Sequence, residues 1–189
     1  MSSVTITIPP LSAADDENLV LHVTELVNNV YGVAEGDIFK PPYSRTNQDE
    51  IRAMILNGQL ALAYQEPESN ANAEKSKGPI GCIQIKIFAP GRGRFGMLAL
   101  NETYRGGGLG KKLVEFAEKY CLEKGCTFMH VEALVPTTFQ HAFKLRLEAW
   151  YMRMGYKLTE IGSFAEDFPH LAPLLRGPTD YKMFEKRLV

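Results

Sequence analysis

The sequence predicts an α/β fold: a central mixed, mostly antiparallel sheet flanked by helices, in the order β-α-α-β-β-β-α-β-α-β-β. Three observations carry that expectation. Short runs rich in Val, Ile and Leu alternate with amphipathic stretches of helical period. Three strand-like runs follow one another before a single strand–helix–strand crossover, so antiparallel pairing precedes one parallel connection. A glycine cluster, Gly106, Gly107, Gly108 and Gly110, marks the turn into that crossover.

The elements follow in order. Val4 to Ile8 alternates Val or Ile with Thr, as a half-exposed strand does, and Pro9-Pro10 stops it. Ser12 is the expected cap of a helix reaching about Tyr31, with Leu19, Val23, Leu26, Val27 and Val30 on its buried stripe. A loop rich in Gly, Pro and Asp spans 32–47 and leads to a short helix near 48–57. Gly58 turns the chain into a strand over 59–64. Residues 66–78 are polar and low in complexity, and are expected to form a flexible hairpin insertion within a single domain spanning 1–189. Strands over 80–88 and 94–100 are joined through Pro90-Gly91. The glycine loop and its helix follow, ending near Gly125. A strand over 127–135 closes at Pro136, a helix near 143–154 ends at Gly155, and 156–161 and 180–188 supply the last strands.

Bulk properties exclude several classes. With 189 residues, 45% of them hydrophobic, the chain is expected to bury one sizeable core. Its net charge of −1 gives no global reason to expect nucleic acid as a partner. Cys82, Cys121 and Cys126 are an odd set without paired spacing, and the four histidines form no metal-ligand pattern with them, so neither a disulfide framework nor a metal is expected. Signal-peptide and membrane-span patterns are lacking, which points to a cytoplasmic protein, with the nucleus left open.

The segment from Arg105 to Lys111 lies between an apolar run and an amphipathic helix, an arrangement that binds anions. Glycines let backbone N–H groups close around phosphate oxygens, and the helix dipole adds positive potential. A Walker loop needs glycine where Arg105 stands and Ser or Thr where Lys112 stands. A dinucleotide fingerprint ending at Gly110 needs a glycine at Arg105, and one starting at Gly106 needs a third at Lys111. The spacing that fits is Arg-x-x-Gly-x-Gly, in Arg105, Gly108 and Gly110, after Leu98-Ala99-Leu100-Asn101-Glu102-Thr103-Tyr104. This resembles the pyrophosphate loop of the GNAT superfamily of acetyl-CoA-dependent N-acetyltransferases, whose topology the element order also resembles.

The resemblance implies that the backbone of Leu98, Ala99 and Leu100 meets the pantetheine arm of acetyl-CoA. It also implies that amides of Gly106, Gly107, Gly108, Leu109, Gly110 and Lys111 hold the pyrophosphate. Arg105 contacts phosphate or braces the loop, and Lys111 with Lys112 serves the phosphates or forms a solvated face. Three departures stand out. Arg94 occupies a position where many members carry an acid. Lys144 and Leu147 replace an Asn and an Ala, which puts the cofactor contacts of that asparagine in doubt.

Amine acetylation needs a base, because alkylammonium groups have a pKa of roughly 10. Glu132 shares a strand face with Phe128, His130 and Leu134, and a glutamate in so apolar a run is expensive unless paired or used. It also matches the family's strand glutamate, here Val131-Glu132-Ala133. His130 is a second base or a partner. Trp150-Tyr151-Met152-Arg153-Met154-Gly155-Tyr156 resembles the family's segment in which a tyrosine sits near the cofactor sulfur, which makes Tyr151 the expected acid. Phe39 and Tyr43 are the expected apolar wall of the acceptor site, with Arg45 a partner for a substrate carboxylate. The expected activity is direct acetyl transfer to a primary amine, a small or amino-acid-like compound first, since no acidic surplus favours a basic tail. A protein or peptide amine, or a non-catalytic acyl-CoA-binding regulator, is the alternative. Association into a homodimer is left open.

Overall fold

The computed structural model describes residues 3–66 and 78–188, so most of the insertion expected over 66–78 lies outside the described residues. The element order is the expected one: β1 (Val4–Thr7), α1 (Glu17–Glu35), α2 (Gln48–Leu56), β2 (Leu60–Gln65), β3 (Gly81–Ala89), β4 (Arg92–Leu100), α3 (Leu109–Glu123), β5 (Phe128–Pro136), α4 (Ala142–Arg153), β6 (Lys157–Gly162), α5 (Phe164–Asp167) and β7 (Thr179–Arg187). The one-turn α5 is an addition, as are 3-10 turns at Leu11–Asp15, Glu102–Tyr104 and Ala172–Leu174. Hydrogen bonding links seven strands in the order β1-β2-β3-β4-β5-β7-β6. Helices flank them, and the fold is mixed α/β.

One cap differs from expectation. Ser12 is taken into the 3-10 turn, and α1 starts five residues after it, at Glu17. Asp16 Oδ1 accepts the amides of Asn18 at 3.0 Å and Leu19 at 3.1 Å, relieving two of the donors a helix start leaves unpaired. The helix also runs past Gly32 to Glu35.

The chain divides into two compact units. The first comprises Met1–Tyr31, Ser44–Lys86 and Phe95–Tyr120. In it β1 pairs antiparallel with β2, from Val4↔Gln65 to Thr7↔Leu62, and β2 with β3, from Leu60↔Gln84 to Ala63↔Gly81. Its core sets Val20, Val23 and Val27 of α1 and Ile51 and Ile55 of α2 against Leu60, Leu62, Met97 and Ala99. The spacing is i, i+3, i+7 on α1 and i, i+4 on α2, the buried faces of amphipathic helices laid on a sheet.

The second unit comprises Gly32–Tyr43, Ile87–Arg94 and Cys121–Val189. Here the start of β4 runs parallel to β5, from Arg92↔Phe128 to Arg94↔His130. β5 pairs antiparallel with β7 from Phe128↔Arg187 to Pro136↔Thr179, and β6 pairs antiparallel with β7. Its apolar cluster joins Ile38, Phe39, Leu134, Leu171 and Tyr181, with Tyr43, Phe164 and Phe168 packed on it. Backbone bonds lace its two loops together: Lys40 N to Leu174 O at 2.6 Å and Arg176 N to Ile38 O at 2.9 Å. Among the described residues no helix is long and apolar enough to cross a membrane.

The cap assignment is testable. Asp16→Ala is expected to lower the unfolding free energy by about 1 kcal/mol. Ser12→Ala is expected to leave the denaturant midpoint unchanged.

Candidate active site

In the first unit, the chain leaves β4 through the Glu102–Tyr104 turn, where Asn101 Oδ1 accepts the Thr103 amide at 3.2 Å. Gly106 (φ 81°) and Gly108 (φ 82°) then adopt left-handed backbone, which an L side chain resists. Gly107 is required neither by φ nor by crowding, since a Cβ there would meet nothing within 4 Å. Lys112 N reaches Gly108 O at 3.1 Å, which opens α3 and leaves the amides of Leu109, Gly110 and Lys111 in its first turn without intrahelical acceptors. Leu109 is buried, as are Leu113, Val114 and Ala117 farther along α3. Arg105 is exposed, and Lys111 Nζ lies 3.5 Å from Glu115 on an open helix face.

The strand before this loop carries the backbone outlier. Met97 has φ 45° inside β4 and is fully buried. Such a conformation costs a non-glycine residue about 1–3 kcal/mol and survives only where packing dictates it. Ala99, two residues on, is buried, while Leu98 and Leu100 are half-buried.

In the second unit, Glu132 on β5 meets Arg94 of β4, Nε to Oε1 at 2.7 Å. Arg94 also lies 3.5 Å from Asp167 Oδ2 on α5 and 4.7 Å from the centre of the Phe88 ring. Tyr181 of β7 donates its hydroxyl to Asp167 Oδ2 at 3.1 Å. Burial pushes the Tyr181 phenol well above its ordinary value, and the charges of Glu132 and Asp167 push the same way. The phenol is thus held as a hydrogen-bond donor. Tyr151 is 5% exposed on the inner face of α4, its ring 5.9 Å from Phe184 and 6.2 Å from Tyr156.

Phe39 and Tyr43 come together, their rings stacked at 4.2 Å, and the Tyr43 hydroxyl donates to Glu35 at 2.8 Å. Phe39 is a core residue, so Tyr43, half-buried, is the part of this pair that the loop can present. Arg45, in the first unit, lies over the Tyr31 ring at 5.3 Å. A cavity of about 510 Å³ opens at the end of β5, lined by residues 135–141 and Leu145; neither Glu132 nor Tyr151 lines it. Among the described residues no group of three His, Cys, Asp or Glu side chains is placed to hold a metal ion.

The model of the acetyltransferase (GNAT) family matches residues 32–156, more than half of the chain. The chain belongs to the GNAT acetyltransferase family. Over 82 residues it is 38% identical to N-alpha-acetyltransferase 30 of Saccharomyces cerevisiae, a match covering 41% of this chain and 43% of that relative. It thus spans less than half of that relative's length. Among solved structures it resembles a chain of the NatC complex bound to Gag peptide and CoA, at 20% identity and TM-score 0.64, with 99% of each chain covered. It also resembles the PaiA N-acetyltransferase of Thermoplasma acidophilum in complex with coenzyme A, at 17% identity and TM-score 0.66, covering 98% and 99%. At these identities the likeness is one of fold.

Within this GNAT chain, the grouping of Arg94, Asp167 and Tyr181 around Glu132 was not foreseen from sequence. Asp167 sits on a helix too short to show a period, and Tyr181 lies 49 positions after Glu132. One sign was available: Arg94 stands where the resemblance implies an acid, and an arginine on a half-buried strand position calls for a carboxylate partner.

His130 belongs to a neighbouring group, with Arg92 Nη1 at 3.1 Å, Glu185 at 3.4 Å and the edge of Phe88. Burial lowers its pKa from the ordinary 6.5; Arg92 and Arg94 add to the shift and Glu185 opposes it. The folded chain therefore binds this proton less readily than the unfolded one, so stability is lost as pH falls below about 6.5. His130→Asn is expected to show a smaller fall in melting temperature between about pH 7 and pH 5 than the wild type.

Proposed function

We propose that the chain transfers the acetyl group of acetyl-CoA to the α-amine of a peptide, by direct attack of the amine. One observation carries the donor half: two left-handed glycines, exposed and uncrowded, lead straight into the first-turn amides of α3, which have no intrahelical acceptors. Those amides fit a pyrophosphate. In this reading Gly106, Gly107, Gly108, Leu109, Gly110 and Lys111 hold it, Arg105 adds charge, and the backbone of Leu98, Ala99 and Leu100 pairs with the pantetheine amides. Acetyl-CoA supplies an activated acyl carbon and a thiolate leaving group.

The second unit carries the acid–base roles. Glu132 takes the proton that an ammonium must lose before its nitrogen can attack, and Arg94 holds the carboxylate in one orientation. Tyr151 gives its proton to the departing sulfur as the C–S bond breaks and the C–N bond forms. The cysteines support transfer without an acyl-enzyme. Cys82, Cys121 and Cys126 are all buried, and burial pushes the thiols of Cys82 and Cys121 up to about 12, so neither offers a thiolate to accept the acetyl group.

For the acceptor, the support is the name of the yeast relative and the peptide in the NatC structure. The charge balance that favours a small amine argues against strongly basic tails. It does not disfavour an ordinary protein N-terminus. Tyr43 stands at the acceptor end in this reading, backed by Phe39, with Arg45 as a carboxylate partner. A cytoplasmic location belongs to the same reading.

Heat stabilisation by acetyl-CoA tests the donor half, because a ligand that binds only the folded state raises its stability. Thiol release across peptides with free α-amines and a panel of small amines tests the acceptor, and turnover confined to the small amines would overturn the peptide assignment. Glu132→Gln is expected to lower kcat by about 100-fold near neutral pH and much less at high pH, where the free amine is abundant. Tyr151→Phe is expected to lower kcat by a similar factor with acetyl-CoA affinity retained; a defect in affinity alone would remove its acid role.

A further inference from the structure

Lys144 is a cation in the first turn of α4, where the helix dipole disfavours it, and it is 3% exposed. A buried ammonium is costly unless paired. Its partner is Glu35, at the end of α1 and also buried, through Nζ and Oε1. Glu35 Oε2 accepts the Tyr43 hydroxyl, and the Glu35 carbonyl accepts the amides of Ile38 at 2.9 Å and Phe39 at 3.3 Å. A second tie lies alongside. His141 Nδ1 accepts the Lys144 amide at 3.3 Å and so caps α4, while its Nε2 meets Asp37 Oδ1 at 3.1 Å. The loop over 35–43 is therefore fastened by two polar contacts to the helix that carries Tyr151. Lys144 and Tyr151, seven positions apart, lie on one face of that helix. Glu148, between them, is held by Lys182 of β7 at 2.9 Å.

We propose that Lys144 is a positioning residue for the acceptor: by holding Glu35, it sets Tyr43 and its loop in register with α4. The inference rests on the acetyltransfer reading above and deepens it. The Lys144 side chain turns to Glu35. A buried ion pair is a poor source of net stability compared with apolar residues of the same size, but it tolerates few geometries. That suits a device for alignment.

Three measurements separate this role from the alternatives. They are acetyl-CoA affinity by calorimetry, kinetics on tetrapeptides with free α-amines, and amide hydrogen exchange in the 36–43 loop. Lys144→Met and Glu35→Gln are each expected to speed loop exchange and to raise the acceptor KM by about ten-fold or more, with acetyl-CoA affinity within about two-fold of wild type. The E35Q/K144M double variant, which leaves no unpaired buried charge, is expected to be no worse than either single change. It keeps the test open if a single variant folds poorly. Tyr43→Phe, which keeps the ring stack and loses the bond to Glu35, is expected to raise the acceptor KM alone. Weakened acetyl-CoA binding with an unchanged acceptor KM in K144M would assign Lys144 to the cofactor and overturn the inference. So would loop exchange equal to wild type. Absence of thiol release by the wild type with every amine would sink the acetyltransfer reading, while the exchange data would still decide whether Lys144 holds the loop.

Discussion

One guanidinium gathers the charges around Glu132. Arg94 faces Glu132, Asp167 and the Phe88 ring at once, and through Asp167 it reaches the Tyr181 hydroxyl. Glu132 is mostly buried, and the guanidinium beside it offsets the cost of holding a carboxylate there.

In the loop before α3 the first unit relies on conformation instead of charge. The two left-handed glycines turn the chain so that α3 opens with its amides outward, and buried Leu109 keeps that opening from fraying. Met97, also left-handed but fully packed, shows that β4 holds strained backbone before the loop begins. Lysines in the first turn do not oppose this arrangement strongly, because Lys111 is exposed and shares its charge with Glu115.

What the sequence made legible follows from the length scale of each signal. Period-2 and period-3.6 patterns placed every strand and long helix, usually within one or two residues, because those patterns repeat within an element. The cap of α1 was misread because Ser12 and Asp16 are both good capping residues, and only the 3-10 turn between them decides which one is used. The turn of α5 is too short for a period. The Arg-x-x-Gly-x-Gly spacing was legible because the whole glycine turn lies within six residues. The surroundings of Glu132 come from β4, α5 and β7, and no local pattern reports such a meeting. Strain at Met97 left no trace either, since methionine has no marked preference for that conformation. Lys144 looked like a lost cofactor contact; its buried partner sits 109 positions away.

The burial of the cysteines has a practical consequence. Cys82 belongs to the first unit, and Cys121 and Cys126 belong to the second. A thiol that no reagent can reach in the closed chain is alkylated only when its surroundings open, so its labelling rate is a clock for that opening. The chain carries such clocks in both units without any added probe. If Cys82 is modified at the same rate as the other two under mild denaturant, the units open as one body; different rates would give each unit its own stability, measured in a single tube.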